Sequence, residues 1–494
     1  MTPAAVTGDR AAAAFARRQA PTRAVADQAG AVARACRDMA GRFHGGGKLL
    51  VFGSGTRATD AQHVSVEFVH PVIVGKRALP ALTLATDAAT VSGLALAAGP
   101  AEVFSHQLRA LAAPADIALG LYGAEPDPAV TAGLREARGR GLLSVALAAG
   151  GPGVVETPVD HLLSVPSEDP RIAKEVQVTL YHVLWELVHI FFERPGALPT
   201  PGPPTCVTCS DQAQAFPVVS LLEGSLAMVD TGQGLEKVSI ALVDACVGDR
   251  VLVHAGEAIA VVPPEEGEPA CPAGPAEPPG EDLSSLYPFL YEERDADPDA
   301  VLGDVARSTA AKAEEIALLR QQVGEAKAHR LAACASAMAQ AFAGGGRLLA
   351  FGNGGSSSDA QAVAHAFLDP PAGERPLPAL SLTNDIAVVT ALANDIGFEV
   401  VFARQVAAWG RPGDIAVALS TSGGSANVLA GIEEAKRAGM LTVGLAGYDG
   451  GKMAEAALDF LFVIPSSSVH RIQEAQTTVY HVLAELTQAA LAAS

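Results

Sequence analysis

An internal repeat constrains the fold of this chain more than any other feature of its sequence. The segment GGGKLLVFGSG at 45–55 returns as GGGRLLAFGNG at 344–354, and LPALTL at 79–84 returns as LPALSL at 377–382. Matching positions stay 298–299 residues apart. Repetition at a fixed spacing is typical of duplicated structural units. We therefore expect two homologous domains that flank a different segment.

Two segments rich in proline and glycine divide the chain. They are RPGALPTPGPP at 194–204 and PPEEGEPACPAGPAEPPGED at 263–282, and such segments lack the apolar residues needed to fold alone. The stretch between them has short β-branched runs separated by Gly or Asp, which predicts a small β-barrel. We predict domains at 1–193 and 301–494, a barrel at 205–262, and linkers at 194–204 and 263–300.

Short apolar runs alternate with Ala-rich helical stretches inside each repeat. LLAFG, LPALSL, IAVALS and LTVGLAG have the pattern of buried parallel strands, and helices between them would cover both faces of the sheet. The predicted fold class is therefore α/β, with two doubly wound parallel-sheet domains flanking the small β-barrel. In such sheets, ligands bind at the carboxyl ends of the strands.

Composition and charge exclude several classes of protein. Acidic residues outnumber basic ones 54 to 34, so the chain as a whole repels nucleic-acid backbones. There is no uninterrupted apolar run long enough for a membrane span, and the N-terminal segment lacks the pattern of a secretory signal. Six cysteines are too few for a disulfide scaffold. We expect a cytoplasmic protein with no nucleic-acid or membrane partner, and self-association into a homo-oligomer remains open.

Two loops rich in glycine and serine follow strands of the C-terminal repeat. LLAF leads into GNGGSSSDAQAVAHAF, and IAVAL leads into STSGGSAN. Glycines after a strand and serines at a helix start form an anion cradle, because backbone N–H groups and the helix dipole point at the ligand. A pair of ordinary turns is the alternative. Two such loops after successive parallel strands favour a phosphate site.

These loops, together with GYDGGKM and RIQEAQTTVYH, closely resemble the sugar isomerase (SIS) domain. Within it, the chain is most similar to the sedoheptulose 7-phosphate isomerases, or phosphoheptose isomerases. The resemblance covers nearly all of 305–494 and, more loosely, 10–193. It implies binding of a phosphosugar and interconversion of aldose and ketose phosphates. The residues that it implies for phosphate binding are Ser356, Ser420, Thr421, Ser422 and Ser425.

The same resemblance implies a helix glutamate as base, a histidine near the C-terminus as acid, and a divalent metal such as zinc. The metal would be held by a His, a Glu, a Gln and a His. The C-terminal repeat supplies Gln473 and His481, but Ala362 and Ala366 occupy the positions of the first two ligands. Nearby His365 is one residue out of register and points about 100° away on a helix.

The N-terminal repeat has lost the phosphate residues instead. Arg57 replaces the first serine, and Tyr122, Ala124 and Asp127 stand where the second loop has its serines. A carboxylate such as that of Asp127 would repel phosphate.

The N-terminal repeat retains the other half of the catalytic set. His63 and Glu67 occupy the positions that became alanines, and their i,i+4 spacing places them on one helix face. His182 matches His481, and Lys174 stands where the other copy has Gln473, although one extra residue makes that alignment less certain.

The resemblance also implies that the two domains associate as an intramolecular pseudo-dimer, and one hypothesis is a composite site that both repeats build. Its catalytic residues would be Glu67 with His481 or His182, and its metal ligands His63, Glu67, Gln473 and His481. Glu67 would remove the proton next to the sugar carbonyl, and a histidine would move protons between the oxygens. The alternatives are an N-terminal repeat that has become a scaffold, or sugar-phosphate binding that is purely regulatory.

The middle segment carries a second resemblance. VSIALVDACVGDRVLVHAGEAI resembles the second half of the hydrogenase formation chaperone family (HypC/HupF type). That resemblance implies a metal-binding cysteine and histidine, here Cys206 and His254, and iron as the metal. Cys206 also forms a C-x-x-C pair with Cys209, which the family pattern lacks, and two ordinary reduced thiols are the alternative.

Two functions follow from these resemblances. We expect a phosphosugar-binding accessory factor in nickel–iron hydrogenase maturation, whose partners would be the hydrogenase large subunit or maturation proteins. The alternative is a phosphoheptose isomerase with a composite active site.

Overall fold

The computed structural model of the chain consists of two α/β units and an all-β unit between them in sequence. It describes residues 6–72, 76–194, 198, 214–222, 226–232, 234–240, 243, 245–254, 257–262 and 298–493. Parallel sheets flanked by helices confirm the predicted α/β class. Among the described residues, no helix is both long enough and apolar enough to cross a membrane.

The N-terminal unit has a parallel sheet that, within the described residues, contains five strands in the order β2-β1-β3-β4-β5. These strands are β1 (Leu49–Gly53), β2 (Ala81–Thr83), β3 (Ile117–Tyr122), β4 (Leu143–Ala149) and β5 (His161–Val165). The helices are α1 (Gly8–Ala16), α2 (Gln19–Arg23), α3 (Ala29–His44), α4 (Arg57–Val69), α5 (Ala88–Ala98), α6 (Val103–Leu111), α7 (Pro128–Gly139) and α8 (Pro170–Glu193). Every residue of β1, β3 and β4 is buried, as expected for a sheet covered on both faces.

The middle unit is a closed barrel in the described part of the chain, with strand order β10-β8-β7-β6-β9. Its strands are β6 (Gln214–Leu222), β7 (Leu226–Asp230), β8 (Leu235–Ser239), β9 (Arg250–His254) and β10 (Glu257–Val262). Small and β-branched side chains fill its core, among them Val218, Val229, Val251 and Val253.

The C-terminal unit repeats the topology of the first, with strand order β12-β11-β13-β14-β15. Its strands are β11 (Leu348–Gly352), β12 (Ala379–Ser381), β13 (Ile415–Ser420), β14 (Leu441–Gly447) and β15 (Phe460–Ile464). Its helices are α9 (Pro298–Ala343), α10 (Gly355–Leu368), α11 (Ile386–Asp395), α12 (Val401–Trp409), α13 (Ala426–Arg437) and α14 (Val469–Ala493). Between the two units, α8 contacts α14 and α4 contacts α10.

The two α/β units exchange helices, which the predicted domain boundaries do not anticipate. Helix α1 contributes Phe15 to the hydrophobic core of the C-terminal unit. The start of α9 in turn contributes Val301 and Val305 to the core of the N-terminal unit. Separating the units would expose apolar surface of both, so the pair behaves as one folding entity.

The docking of α1 on α9 depends on a glycine. A Cβ atom added to Gly324 of α9 would lie 2.7 Å from the Cβ of Phe15, which is too close for two carbon atoms. A Cβ atom added to Gly303, on the same helix, would meet only a terminal nitrogen of Arg307 at 3.4 Å.

We predict that Gly324→Ala lowers the free energy of unfolding by about 1 kcal/mol. Overpacking costs about 1–3 kcal/mol, which exceeds the gain in helix propensity of about 1 kcal/mol. The control, Gly303→Ala, gains helix propensity without overpacking against another side chain, so it is expected to stabilise the protein. Urea denaturation followed by circular dichroism measures both variants. Equal stabilisation by the two substitutions would show that α1 does not pack closely at this glycine.

Candidate functional site

The two glycine- and serine-rich loops lie side by side, because β11 and β13 are adjacent parallel strands. Asn353 in the first loop and Asn427 at the start of α13 exchange two hydrogen bonds of 2.8 Å, which join the loops. The hydroxyl oxygens of Ser420 and Ser425 are 3.2 Å apart. At this edge the structure assembles the residues predicted to bind phosphate, which are Ser356, Ser420, Thr421, Ser422 and Ser425.

Among the described residues, the N-terminus of α13 lacks the carboxylate cap of its counterpart α7, although the amide of Val428 there donates to Asn427 Oδ1 at 2.9 Å. At α7, the carboxylate of Asp127 accepts hydrogen bonds from the amides of Ala129 at 2.9 Å and Val130 at 3.1 Å. At α13, Ser425 makes no side-chain capping bond within the described part of the chain. A negative group is stabilised at a helix N-terminus. The protein's own carboxylate fills that position in the N-terminal unit, whereas the described part of the C-terminal unit has no carboxylate there.

One glycine of the second loop, Gly423, is required by the close approach of this loop to the next. Gly423 has φ of 63°, and a Cβ atom there would lie 2.0 Å from the carbonyl oxygen of Gly450. A side chain at this position would therefore push the two loops apart.

Three buried side chains of the N-terminal unit converge in what we call the ligand cluster, formed by His63 and Glu67 of α4 and His182 of α8. The Nε2 atom of His63 lies 3.3 Å from Glu67 Oε1 and 3.5 Å from His182 Nε2. Their potential ligand atoms all lie within 4.8 Å of one another, close enough to bind one metal ion. The i,i+4 spacing of the sequence thus produces the predicted pair, and α8 adds the third member.

The ligand cluster lies beside the C-terminal unit, at the start of α10. A Cβ atom added to Gly355 would be 2.2 Å from Gln473 Nε2, 2.7 Å from His63 Nε2 and 3.2 Å from Glu67 Oε1. The buried Oε1 atom of Gln473 has no hydrogen-bond partner among the described residues. Gly355 belongs to the first serine loop. The ligand cluster of the N-terminal unit and the loops of the C-terminal unit therefore border one composite pocket. We call it the first pocket.

His481 lies elsewhere, which corrects its expected place in the metal set. Its Nδ1 atom is 3.0 Å from Glu175 Oε1. Eight residues separate it from Gln473, or about 12 Å along a helix, so the two side chains reach different pockets. The crossing of α8 and α14 brings His182 to the first pocket instead. Burial lowers the pKa of His481, and the charge of nearby Lys174 acts in the same direction.

The second pocket, the pseudo-symmetric counterpart of the first, is filled by the protein's own side chains. Lys174 takes the position of Gln473 and donates hydrogen bonds to the carbonyl oxygen of Thr56 at 3.1 Å and to Asp60 Oδ1 at 2.5 Å. Arg57, in place of the first phosphate serine, lies 3.5 Å from Asp60. Thr56 itself stands where the other copy has Gly355, whose missing side chain leaves room for Gln473 and His63.

Burial and hydrogen bonding set the charges of the ligand cluster. Burial lowers the pKa of His182 to about 4, despite its hydrogen bond to Glu474, so this imidazole is neutral at pH 7. Burial alone would raise the pKa of Glu67, but hydrogen bonds from His470 and His63 outweigh it and hold the pKa well below its usual range. The cluster therefore offers an ionised carboxylate next to a neutral imidazole, as metal ligation or proton transfer requires.

Several contributors to the site were not among the sequence predictions. Glu175 and Glu474 occupy matching positions of the repeat, so a closer alignment of the two copies would have singled them out. Asn353 and Asn427 have no counterpart in the other copy, and His470 lies outside any recognised motif. In the middle unit, Cys206 and Cys209 lie outside the described residues, and His254 is the last residue of β9.

The fold and the site together define a class: a duplicated α/β protein with an anion cradle in one copy and a buried ligand cluster in the other. The family model of the SIS domain matches residues 16–149 and 313–447, which is more than half of the chain. The chain belongs to the SIS domain family. The HupF/HypC family model matches residues 214–271. Both resemblances predicted from the sequence are confirmed.

Several phosphoheptose isomerases are each similar to about a third of the chain. The phosphoheptose isomerase of Roseiflexus sp. (strain RS-1) is 43% identical over 174 residues, which are 35% of this chain and 88% of that protein. That of Aquifex aeolicus (strain VF5) is 44% identical over 165 residues, 33% of this chain and 86% of that protein. The solved structure of phosphoheptose isomerase GmhA from Neisseria gonorrhoeae is 37% identical and covers 36% of this chain and 96% of its own, with a TM-score of 0.34.

The contrast between α13 and α7 predicts how the protein binds inorganic phosphate. We expect one phosphate per chain, and we expect Ser425→Asp to weaken its affinity at least 100-fold. The new carboxylate would cap α13, as Asp127 caps α7, and repel the anion. Isothermal titration calorimetry at fixed ionic strength measures both quantities.

Two control variants accompany that measurement. Ser425→Ala removes one hydroxyl and should cost about tenfold, the lower end of the value of a hydrogen bond to a charged group. Asp127→Ala changes the closed helix N-terminus in the other copy and should leave the affinity in the first pocket unchanged. If Ser425→Asp binds phosphate as tightly as Ser425→Ala, the anion does not bind at α13.

Proposed function

We propose that the protein is a phosphosugar isomerase with one composite active site per chain. The C-terminal unit would hold the phosphate, and the N-terminal unit would supply the reacting groups. The observation that carries this proposal is the position of the ligand cluster beside Gly355 and Gln473, within the pocket that the serine loops border. The similarity to phosphoheptose isomerases favours sedoheptulose 7-phosphate as the substrate.

The residues of the first pocket fit a divalent metal such as zinc. Two imidazoles, one carboxylate and one amide oxygen are ligands of the kind that zinc accepts. The Oε1 atom of Gln473, buried and without a hydrogen-bond partner among the described residues, is satisfied if it binds a cation. His63, Glu67, His182 and Gln473 would hold the ion, which would polarise the sugar carbonyl as a Lewis acid.

The side chains of the first pocket account for the proton transfers. Glu67, held ionised, takes the proton from the carbon next to the carbonyl, which leaves an enediolate, and returns it to the former carbonyl carbon. His182 is neutral, and its Nδ1 atom lies 3.1 Å from Glu474 Oε1. With Nδ1–H directed at that carboxylate, the Nε2 lone pair would bind the ion; in the metal-free site it instead accepts a hydroxyl proton and returns it to the neighbouring oxygen. The serine loops anchor the phosphate, and this binding energy orients the reacting carbons.

We predict that Glu67→Gln lowers kcat for sedoheptulose 7-phosphate isomerisation at least 100-fold, the range for loss of a general base. Sugar binding should change little, because the phosphate is held by the other unit. Aldose formation is followed by NMR in the presence of zinc, and affinity is measured by calorimetry. The control, Glu433→Gln, alters an exposed glutamate of α13 and should retain wild-type turnover. Unchanged turnover in Glu67→Gln would refute the composite site.

We further propose that the middle unit acts in nickel–iron hydrogenase maturation. The match of residues 214–271 to the HupF/HypC family supports this role. The resemblance implies that Cys206 and His254 bind iron and that the partner is the hydrogenase large subunit or another maturation protein. A cysteine thiolate and an imidazole are suitable ligands for a transition metal.

The maturation role is tested in the native host. We predict that Cys206→Ala in the full-length protein abolishes hydrogen-dependent dye reduction, because the iron ligand is lost. The matched control, Cys246→Ala, alters another cysteine of the same unit and should leave hydrogenase activity intact. Normal hydrogenase activity in the Cys206→Ala strain would contradict the role.

A further inference from the structure

His470 links the two units at the ligand cluster. It stands at the start of α14, is almost completely buried, and places its Nε2 atom 3.1 Å from Glu67 Oε2. Its Nδ1 atom lies 2.8 Å from Glu186 Oε1 on α8. One imidazole therefore bridges two carboxylates of the N-terminal unit.

The two carboxylates that contact His470, those of Glu67 and Glu186, also contact other charged or polar side chains. Glu67 directs its other oxygen, Oε1, towards His63 at 3.3 Å. Glu186 also forms ion pairs: its Oε1 atom lies 3.0 Å from the guanidinium of Arg471 on α14, and its Oε2 atom lies 2.5 Å from Nζ of Lys312 on α9. The ring of His470 also contacts two aromatic rings. It stacks on the ring of His182 with 4.6 Å between the ring centroids, and it packs against Trp185 in a T-shaped arrangement with 4.9 Å between the centroids.

We propose that His470 is the positioning residue of Glu67. Its Nε2–H would hold Oε2 of the carboxylate, so that Oε1 remains directed at His63 and at a bound metal. This inference rests on the proposed function, because it concerns the metal ligands of the first pocket. Hydrogen-bond partners of this kind orient a ligand, and their loss typically costs 10–100-fold in metal affinity.

Two substitutions of His470 separate positioning from packing. His470→Gln keeps an N–H donor at the same number of bonds from the backbone as Nε2 of histidine, whereas His470→Leu provides no donor. Both variants lose the ring that packs on His182 and Trp185. A residue that serves only packing would make the two variants alike.

Zinc affinity of the full-length protein is measured by competition with a chromogenic chelator. We expect His470→Leu to weaken zinc binding 10–100-fold, and His470→Gln to remain within about fivefold of the wild type. Phosphate affinity should be unchanged in both variants, because the serine loops do not involve His470. In turnover, His470→Leu should lower kcat more than it changes KM, and His470→Gln should restore most of the loss.

Each other outcome has a distinct meaning. Equal zinc affinities of the Leu and Gln variants, whether reduced or not, would overturn the positioning role. Zinc binding by the wild type without isomerisation of sedoheptulose 7-phosphate would refute the proposed reaction, and the role of His470 would still be decided by zinc affinity. A wild-type protein that binds no zinc would overturn both the metal centre and the role of His470.

Discussion

The structure depends on a reciprocal set of buried contacts where α8 crosses α14. Glu474 of α14 lies 3.1 Å from Nδ1 of His182 on α8, and Glu175 of α8 lies 3.0 Å from Nδ1 of His481 on α14. Buried arginines neutralise both carboxylates, Arg18 at 2.9 Å from Glu175 and Arg471 at 2.6 Å from Glu474. The two histidine–carboxylate hydrogen bonds cross from one unit to the other, and a hydrogen bond to a charged group contributes about 1.5–3 kcal/mol, so they hold the two units in one register. That register brings His182, rather than His481, to the first pocket.

The crossing explains why the two copies have lost complementary residues. Each pocket takes its loops from one unit and its helix α4 or α10 from the other. The substituted positions therefore all belong to the second pocket, although they are distributed over both halves of the sequence. These positions are Thr56, Arg57, Tyr122, Ala124, Asp127, Lys174, Ala362 and Ala366. The substitutions thus lie in one pocket, and the other keeps the serines of the two loops together with His63, Glu67 and Gln473.

The sequence predicted what depends on local pattern. Apolar runs located the strands, the glycines and serines located the anion loops, and the i,i+4 spacing placed His63 and Glu67 on one face. It did not predict which side chains meet across helices that are distant in the chain. Gln473 and His481 share a helix face, and only the crossing shows that they serve different pockets. The exchange of α1 and α9 between cores, and the bridge made by His470, depend on the same long-range packing, for which no local pattern exists.

Covalent linkage has a physical role in a site of this kind. Two diverged copies on separate chains would pair in three ways, and only the mixed pair would join the serine loops of one copy to the ligand cluster of the other. A single chain makes the association intramolecular, so the mixed pair forms at any protein concentration. The helix exchange further favours the mixed pair, because the hydrophobic core of each unit includes a segment from the other half of the chain. The two pockets therefore do not need to be alike for the units to associate. The second pocket contains a buried cluster of ion pairs, such as that of Lys174 with Asp60, at the interface of the two units.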